Sequence, residues 1–243
     1  MTIDYSRHAA EYDRARADDV VDQEFWLRGL LEVGGILPGA SILDLGAGTG
    51  RFAKLLSATN PVAALDASRE MLRVAQGKGS FASVQGDAHQ LPFKADAFDV
   101  TVMVMVLHHL ADPPAALREV ARVSRRAVVV TSDMSTRRLG IIEEAFPSLL
   151  DIDRRRFPPI ASVVASLRAA GFRDVRQEAR AYSRSFTVLE QLDRVRRRYL
   201  STFDLLPAGE YERGKRFLEM ELPQRYPGGF EVAASFTFLA GTR

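Results

Sequence analysis

Apolar residues follow two rhythms along this chain. Over residues 20–34 they recur at helical spacing (Val21, Phe25, Leu27, Leu30, Leu31), and Gly34-Gly35 and Pro38-Gly39 punctuate the end. Residues 5–16, polar with interspersed aromatics, also read as helix. Short apolar runs then alternate with helical patterns. Strands are expected at 41–45, 62–65, 81–85, 98–106 and 127–131. Helices are expected between them at 51–58, 69–76 and 113–123. Ser68 is placed to cap the second of these helices, and Asp112 opens the third ahead of two prolines in its first turn. Five apolar strands interleaved with helices imply a parallel sheet covered on both faces.

The rhythm loosens after residue 132. Residues 133–159 are charged and irregular, with a short helical stretch at 141–146. A helix at 160–170 ends at Gly171 and a sixth strand follows at 172–181. Two amphipathic helices are expected at 187–205 and 209–222, and a seventh strand at 230–239. This pattern divides a single domain, 1–243, into lid helices (1–35), a core (36–132) and two inserted cap segments (133–159 and 183–228). Residues 160–182 and 229–243 complete the core.

Composition narrows the chemistry. Of 243 residues 47% are hydrophobic, enough for one substantial core. The chain has no cysteine, which excludes disulfides, thiolate nucleophiles and cysteine-held zinc or iron–sulfur centres. No apolar run is long enough to span a membrane, and a cytoplasmic protein is expected. Net charge is +2, and the arginines are scattered among 31 acids, which argues against a nucleic-acid-binding face.

One turn carries the candidate chemistry. Ile42-Leu43-Asp44-Leu45-Gly46-Ala47-Gly48-Thr49-Gly50-Arg51 follows a strand and opens a helix. Glycine lets backbone approach a ligand closely. A dinucleotide fingerprint spaces its glycines G-x-G-x-x-G with a phosphate at the helix start. Here the spacing is G-x-G-x-G behind Asp44, a carboxylate that suits an ammonium group and disfavours a phosphate. The charge points to a zwitterionic sulfonium ligand, although the turn by itself leaves a dinucleotide open. Asp66 ends the second strand, where it can accept from ribose hydroxyls or cap the next helix. Asp87, in Gly86-Asp87-Ala88, ends the third, where it can accept from an adenine amino group or simply form a turn. Met103 and its neighbours up to His109 end the fourth, beside the methionine part of such a ligand. Open α/β sheets place ligands at these strand ends.

Residues 42–131 resemble a class I S-adenosylmethionine-dependent methyltransferase, closest to the small-molecule group that includes the ubiquinone and menaquinone C-methyltransferases. The matching stretches are Leu43 through Gly50, Ala64-Leu65-Asp66-Ala67-Ser68 with Met71-Leu72, Gly86-Asp87-Ala88 through Phe93, and Phe98-Asp99-Val100 through Leu107-His108-His109-Leu110. Tyr12-Asp13 with Arg16 also resembles the group, whose first helix folds over the cofactor. The resemblance implies a Rossmann-like, seven-stranded, mostly parallel sheet with helices on both faces, plus a helical cap. It implies S-adenosylmethionine as cofactor and S-adenosylhomocysteine as product. Asp44 with the backbone of Gly46, Ala47, Gly48 and Gly50 would hold the methionyl amino group, and Asp66, beside Ala67, the ribose. Met71 or Leu72 and Ala88 would pack on the adenine, with Asp87 accepting from its amino group. Arg16 with Tyr12 would cover the methionyl carboxylate.

Methyl transfer from a sulfonium is an in-line displacement, and positioning alone supplies much of its rate. A base is required only for a protonated acceptor. Of the four histidines, His108 is the candidate base, with a structural role for the His108-His109 pair as the alternative. No metal site is expected. The acceptor is expected to be a small molecule, aromatic or acidic, at oxygen, carbon or nitrogen. It would meet the cap segments, which carry Arg137-Arg138, Arg154-Arg155-Arg156, Arg194, Arg196-Arg197-Arg198 and several aromatics. The alternative for these arginines is a solvated helix face. Two other readings remain: an RNA-modifying methyltransferase, and a partner protein that binds the cofactor without catalysis.

Overall fold

The computed structural model describes residues 23–243. Seven strands, β1 (Ile42–Leu45), β2 (Val62–Asp66), β3 (Ala82–Gln85), β4 (Phe98–Val104), β5 (Ser124–Thr131), β6 (Arg173–Phe186) and β7 (Phe230–Thr242), form one sheet. Their order is β3-β2-β1-β4-β5-β7-β6. The first five pair in parallel, while β7 runs antiparallel to both β5 and β6. The mostly parallel sheet expected from the alternating pattern is therefore present. Winding reverses between β1 and β4, which opens a crevice at their carboxyl ends.

Strand periodicity sorts side chains into two cores. Ile42, Val100, Val102, Val104 and Val128 face a layer made by α1 (Gln23–Gly34) and α2 (Arg51–Leu56), meeting Trp26, Leu30, Ala53 and Leu56. Leu43, Leu45, Met103, Ala127 and Val129 face the opposite layer. There α4 (Pro113–Val123) supplies Leu117 and Val120, and α7 (Ile160–Ala169) supplies Val163 and Leu167. Each fully buried leucine or valine of this kind contributes about 1.5–3 kcal/mol. Between β2 and β3, α3 (Arg69–Gln76) is capped by Ser68, whose Oγ accepts from Met71 N at 3.3 Å. Asp112 caps α4 by accepting from Ala115 N at 3.0 Å.

The region after β5 differs from expectation in three places. The stretch 133–159 holds a second helix, α6 (Leu149–Arg156), after the short α5 (Ile141–Ala145). Its buried face is made by Leu149, Leu150 and Asp153, a pattern that charge density hides in the sequence. The single helix expected at 187–205 is instead α8 (Val188–Arg196) and a 3-10 turn (Ser201–Leu205). A capping box between Thr187 and Glu190 starts α8, and the backbone turns left-handed at Arg198 soon after its end. Strand β6 runs to Phe186, five residues past the expected end, because β7 pairs with it residue for residue as far as Phe186 with Phe230.

That last pairing overshoots the sheet. Strand β5 pairs with residues 237–242 of β7 only, so residues 230–236 pair with β6 alone as a two-stranded ribbon. A third apolar cluster lies beyond β5, built from Ile141, Phe146, Leu192, Val195, Phe203, Tyr211, Leu218 and neighbours. It joins α5, α6, α8 and α9 (Glu210–Arg225). Among the described residues no helix is long and apolar enough to cross a membrane.

At Gly214, α9 comes against α5 so closely that a Cβ would lie 2.4 Å from the Ala145 carbonyl oxygen and from the Phe146 ring. A backbone carbonyl cannot swing aside. Gly214→Ala is therefore expected to destabilise the protein by about 1–3 kcal/mol despite the better helix propensity of alanine. Chemical denaturation checks this; an unchanged or raised midpoint would show that the two helices can separate freely.

Candidate active site

The glycine turn is pinned from three sides. The N–H groups of Gly46 and Ala47 both donate to the Leu65 carbonyl, at 2.8 and 3.0 Å, tying the turn to β2. A Cβ on Gly46 would lie 2.5 Å from the Val106 side chain, so the turn abuts the end of β4. Gly48, at φ 54°, donates its N–H to Asp66 Oδ2 at 2.8 Å. A Cβ there would meet nothing within 4 Å, so this face of the turn is open. The other Asp66 oxygen accepts from Ser68 N at 2.9 Å. Because Ser68 caps α3, Asp66 is a brace between β2 and the turn and not the helix cap.

One large cavity of about 2360 Å³ runs along the carboxyl ends of the strands. Gly46, Ala47, Gly48, Asp66, Ala67, Met71, Asp87, Ala88 and His108 all line it. Three other expected site residues do not. Gly50 is turned away, where a Cβ would lie 2.8 Å from Ala75 and Phe81. Met103 is fully buried in the layer beneath α4, and Val104, Met105 and Val106 form the wall in its place. Asp44 is 1% exposed and lies on the α2 face of β1, below the turn. The physical reason is strand alternation: being near a strand end says nothing about which face a side chain takes. Tyr12 and Arg16 lie outside the described residues.

Met105 lies within the stretch 103–109 expected beside the ligand, but its backbone conformation was not anticipated. Its φ is 55°, an uncommon conformation for a side chain with a Cβ, and its N–H donates to the Val130 carbonyl at 2.8 Å. The hydrophobic run 98–106 contains no mark of where the strand bends.

At the rim, Asp87 Oδ1 accepts from His89 N at 2.9 Å and pairs with His89 Nδ1 at 2.7 Å. His89 Nε2 accepts from Asp112 N at 3.2 Å, so the ring carries its proton on Nδ1. The His89 backbone and ring bonds hold the Asp87 carboxyl below its ordinary range. The cavity's other end lies under the third apolar cluster. There His108 stacks on Phe157, rings 3.8 Å apart and 13° from parallel, and His109 packs beside it at 3.9 Å. Arg156 donates to Thr202 Oγ1 at 3.0 Å and approaches His109 Nδ1 at 3.4 Å. The Thr202 hydroxyl in turn donates to Asp153, a carboxyl that burial pushes up while Thr202, Arg137 and Arg156 pull it down. These polar groups tie α6 to the 3-10 turn across the chamber.

Comparison with known proteins agrees with this geometry. Residues 43–130 match the methyltransferase-domain family. The chain is 34% identical over 142 residues to the demethylmenaquinone methyltransferase of Chlamydia pneumoniae, covering 56% of this chain and 57% of that protein. It is 35% identical over 186 residues to the malonyl-[acyl-carrier protein] O-methyltransferase of Herminiimonas arsenicoxydans, covering 74% and 68%. Among solved structures, a protein from an antibiotic biosynthesis pathway of Anabaena variabilis superimposes with a TM-score of 0.72 at 20% identity, over 87% of this chain and 95% of that one. The chain belongs to the S-adenosylmethionine-dependent methyltransferase family. It spans about half the length of several of the curated relatives it matches.

Asp44 gives this site a pH signature. Burial is the main influence on its carboxyl and the nearby Asp66 adds to it; against a hydrogen bond from the Ala53 backbone they raise it from 3.8 to about 7. The folded state thus holds a proton between about pH 4 and 7 that the unfolded state releases. By linkage, Asp44 costs nothing below that window and progressively lowers stability as pH rises through it. Asp44→Asn should flatten this component, so that the variant's melting temperature gains on the wild type between pH 4 and 7. Parallel curves for the two proteins would refute the assignment.

Proposed function

We propose that this protein transfers a methyl group from S-adenosylmethionine to a small-molecule acceptor, with both molecules held in one cavity. The observation that carries the reading is the cavity itself. Pockets for single small ligands occupy roughly 300–1,000 Å³. At about 2360 Å³, this one has room for a cofactor over the glycine turn and an acceptor under the third cluster.

The residues present fit the cofactor. The open face at Gly48 admits a chain of atoms against the backbone, and Asp66 stands beside it with both oxygens oriented by backbone N–H groups. Asp66 is suited to a pair of ribose hydroxyls, Met71 and Ala88 to the faces of an adenine, and Asp87 to its amino group. Asp44, beneath the turn, would act on the methionyl end only indirectly, through α2, from whose Ala53 N–H it accepts a hydrogen bond. When bound, the cofactor supplies an electrophilic methyl group, whose bond to sulfur breaks as an acceptor lone pair forms the new one.

The chain's own contribution is alignment and exclusion of water. Phe157 fixes the plane of the His108 ring on the chamber wall. Where the acceptor arrives protonated, His108, which lines the cavity, would take its proton. The apolar lining supplied by Ile141, Ile142, Phe157, Tyr226 and Phe230 favours an aromatic or otherwise apolar acceptor. An RNA substrate is less well supported. Arg154, Arg196, Arg197, Arg198 and Arg225 are paired with Asp151, Glu219, Asp193, Asp204 and Glu144, so these arginines are neutralised within the chain and are not available to a phosphate backbone.

Calorimetry with S-adenosylhomocysteine tests the first half of this reading, and absence of binding to folded protein would end it. Asp66→Ala should weaken that binding by about tenfold or more, the loss of hydrogen bonds to a charged acceptor. An unchanged affinity would remove Asp66 from the ribose site. A screen of small aromatic and apolar metabolites for methylation tests the second half.

A further inference from the structure

The wall of the chamber contains one polar group whose bonding is half complete. Gln191, on α8, is 0% exposed and lines the cavity. Its Oε1 accepts from Arg194 Nη1 at 3.0 Å. A guanidinium can only donate, so this bond fixes which end of the amide is oxygen. The Nε2 end, with two N–H donors, has no hydrogen-bond partner among the described residues. A buried donor left without an acceptor is costly, and native structures tolerate few of them. What is missing here is specifically an acceptor atom.

The neighbourhood gives that acceptor its charge. Arg194 is 8% exposed, with its guanidinium 4.0 Å from the centre of the Phe186 ring and 4.3 Å from that of Tyr199. The two rings fix the guanidinium in place. On the same helix, Asp193 is engaged by Arg197, and Glu190, held in the capping box, also feels the charge of Arg184 and Arg194. The chamber's buried carboxyl, Asp153, is already held by Thr202 and Arg156. A ligand entering this wall therefore meets an oriented amide donor backed by a fixed cation, amid aromatic rings.

We propose that Gln191 is the specificity-determining residue of the acceptor chamber, donating from Nε2 to a carboxylate on an aromatic or otherwise apolar methyl acceptor. Arg194 is the positioning residue that orients the amide. This rests on the two-ligand reading of the cavity given above, and it assigns the carboxylate as a recognition handle whichever atom receives the methyl group.

The test uses full-length protein saturated with S-adenosylhomocysteine and three probes of one shape: 2-naphthoic acid, 2-naphthamide and 2-naphthylmethylamine. Calorimetry should show the acid binding about tenfold or more tightly than the amide. Gln191→Glu keeps the shape and the bond to Arg194 but turns the free donor into an acceptor. It should lose about tenfold or more in affinity for the acid, shift preference to the amine, and leave S-adenosylhomocysteine affinity unchanged. Gln191→Met, which removes the donor without adding charge, should abolish the preference for acid over amide. Equal binding of acid and amide to the wild type, failure of all three probes to bind, or an acid preference that survives Gln191→Glu would each overturn the inference and leave the cofactor reading intact. Failure of the wild type to bind S-adenosylhomocysteine would bring down both.

Discussion

The site depends on how closely two loops meet where the winding of the sheet reverses. Gly46, after β1, lies so near Val106, after β4, that any side chain at position 46 would collide with it. That contact sets the depth of the crevice between the two strands. It also brings the glycine turn within reach of Asp66, whose carboxylate then holds the Gly48 amide. Opposite the turn, the backbone passes through a left-handed residue at Met105 to leave room for the crossing. Glycine, aspartate and a strained methionine thus answer one steric demand. The demand itself follows from parallel strands leaving β1 in opposite directions across the sheet.

Most of the core was legible because its signals are local. Ser68 and Asp112 cap the helices they precede, and the apolar runs at β1, β2, β4 and β5 stand out against their flanks. That Asp66, Asp87 and the turn at Gly46, Ala47 and Gly48 border the cavity was legible for the same reason. What could not be read was facing. Asp44 and Met103 sit at the right height in the sheet, yet each points into a helix-covered layer and not toward the cavity. A strand buried on both faces carries no polar alternation to reveal its inner and outer sides. The region beyond β5 was hardest, since α6 buries Asp153 through a partner, Thr202, that lies 49 residues away in the chain. Gln191 was invisible for a related reason: nothing in a helical sequence shows that an amide has one end tied and the other free.

The two ends of the cavity are held by different means. The glycine-turn end rests on backbone hydrogen bonds between strands and turns, which do not depend on side-chain identity beyond a few glycines and acids. The end under the third cluster rests on side chains: the stack of His108 on Phe157, the Asp153–Thr202–Arg156 group, and Arg194 between two rings. Substitutions under the third cluster can reshape that end of the cavity while the glycine turn stays as it is. This is consistent with a family in which similar cores accompany different named acceptors, as in the Chlamydia and Herminiimonas relatives.

The ribbon formed by the far halves of β6 and β7 behaves mechanically like a cantilever. At its root β5 clamps it into a seven-stranded body; past residue 236 toward the tip it is two strands wide. A two-stranded ribbon twists and bends far more easily than a broad sheet. Its tip, at Phe186 and Phe230, is located by the helices it touches and not by the sheet it grows from. The chamber therefore has one rigid wall and one compliant wall. Loads applied by a bulky guest would be taken up by the ribbon and the helices behind it, and would reach the glycine turn hardly at all.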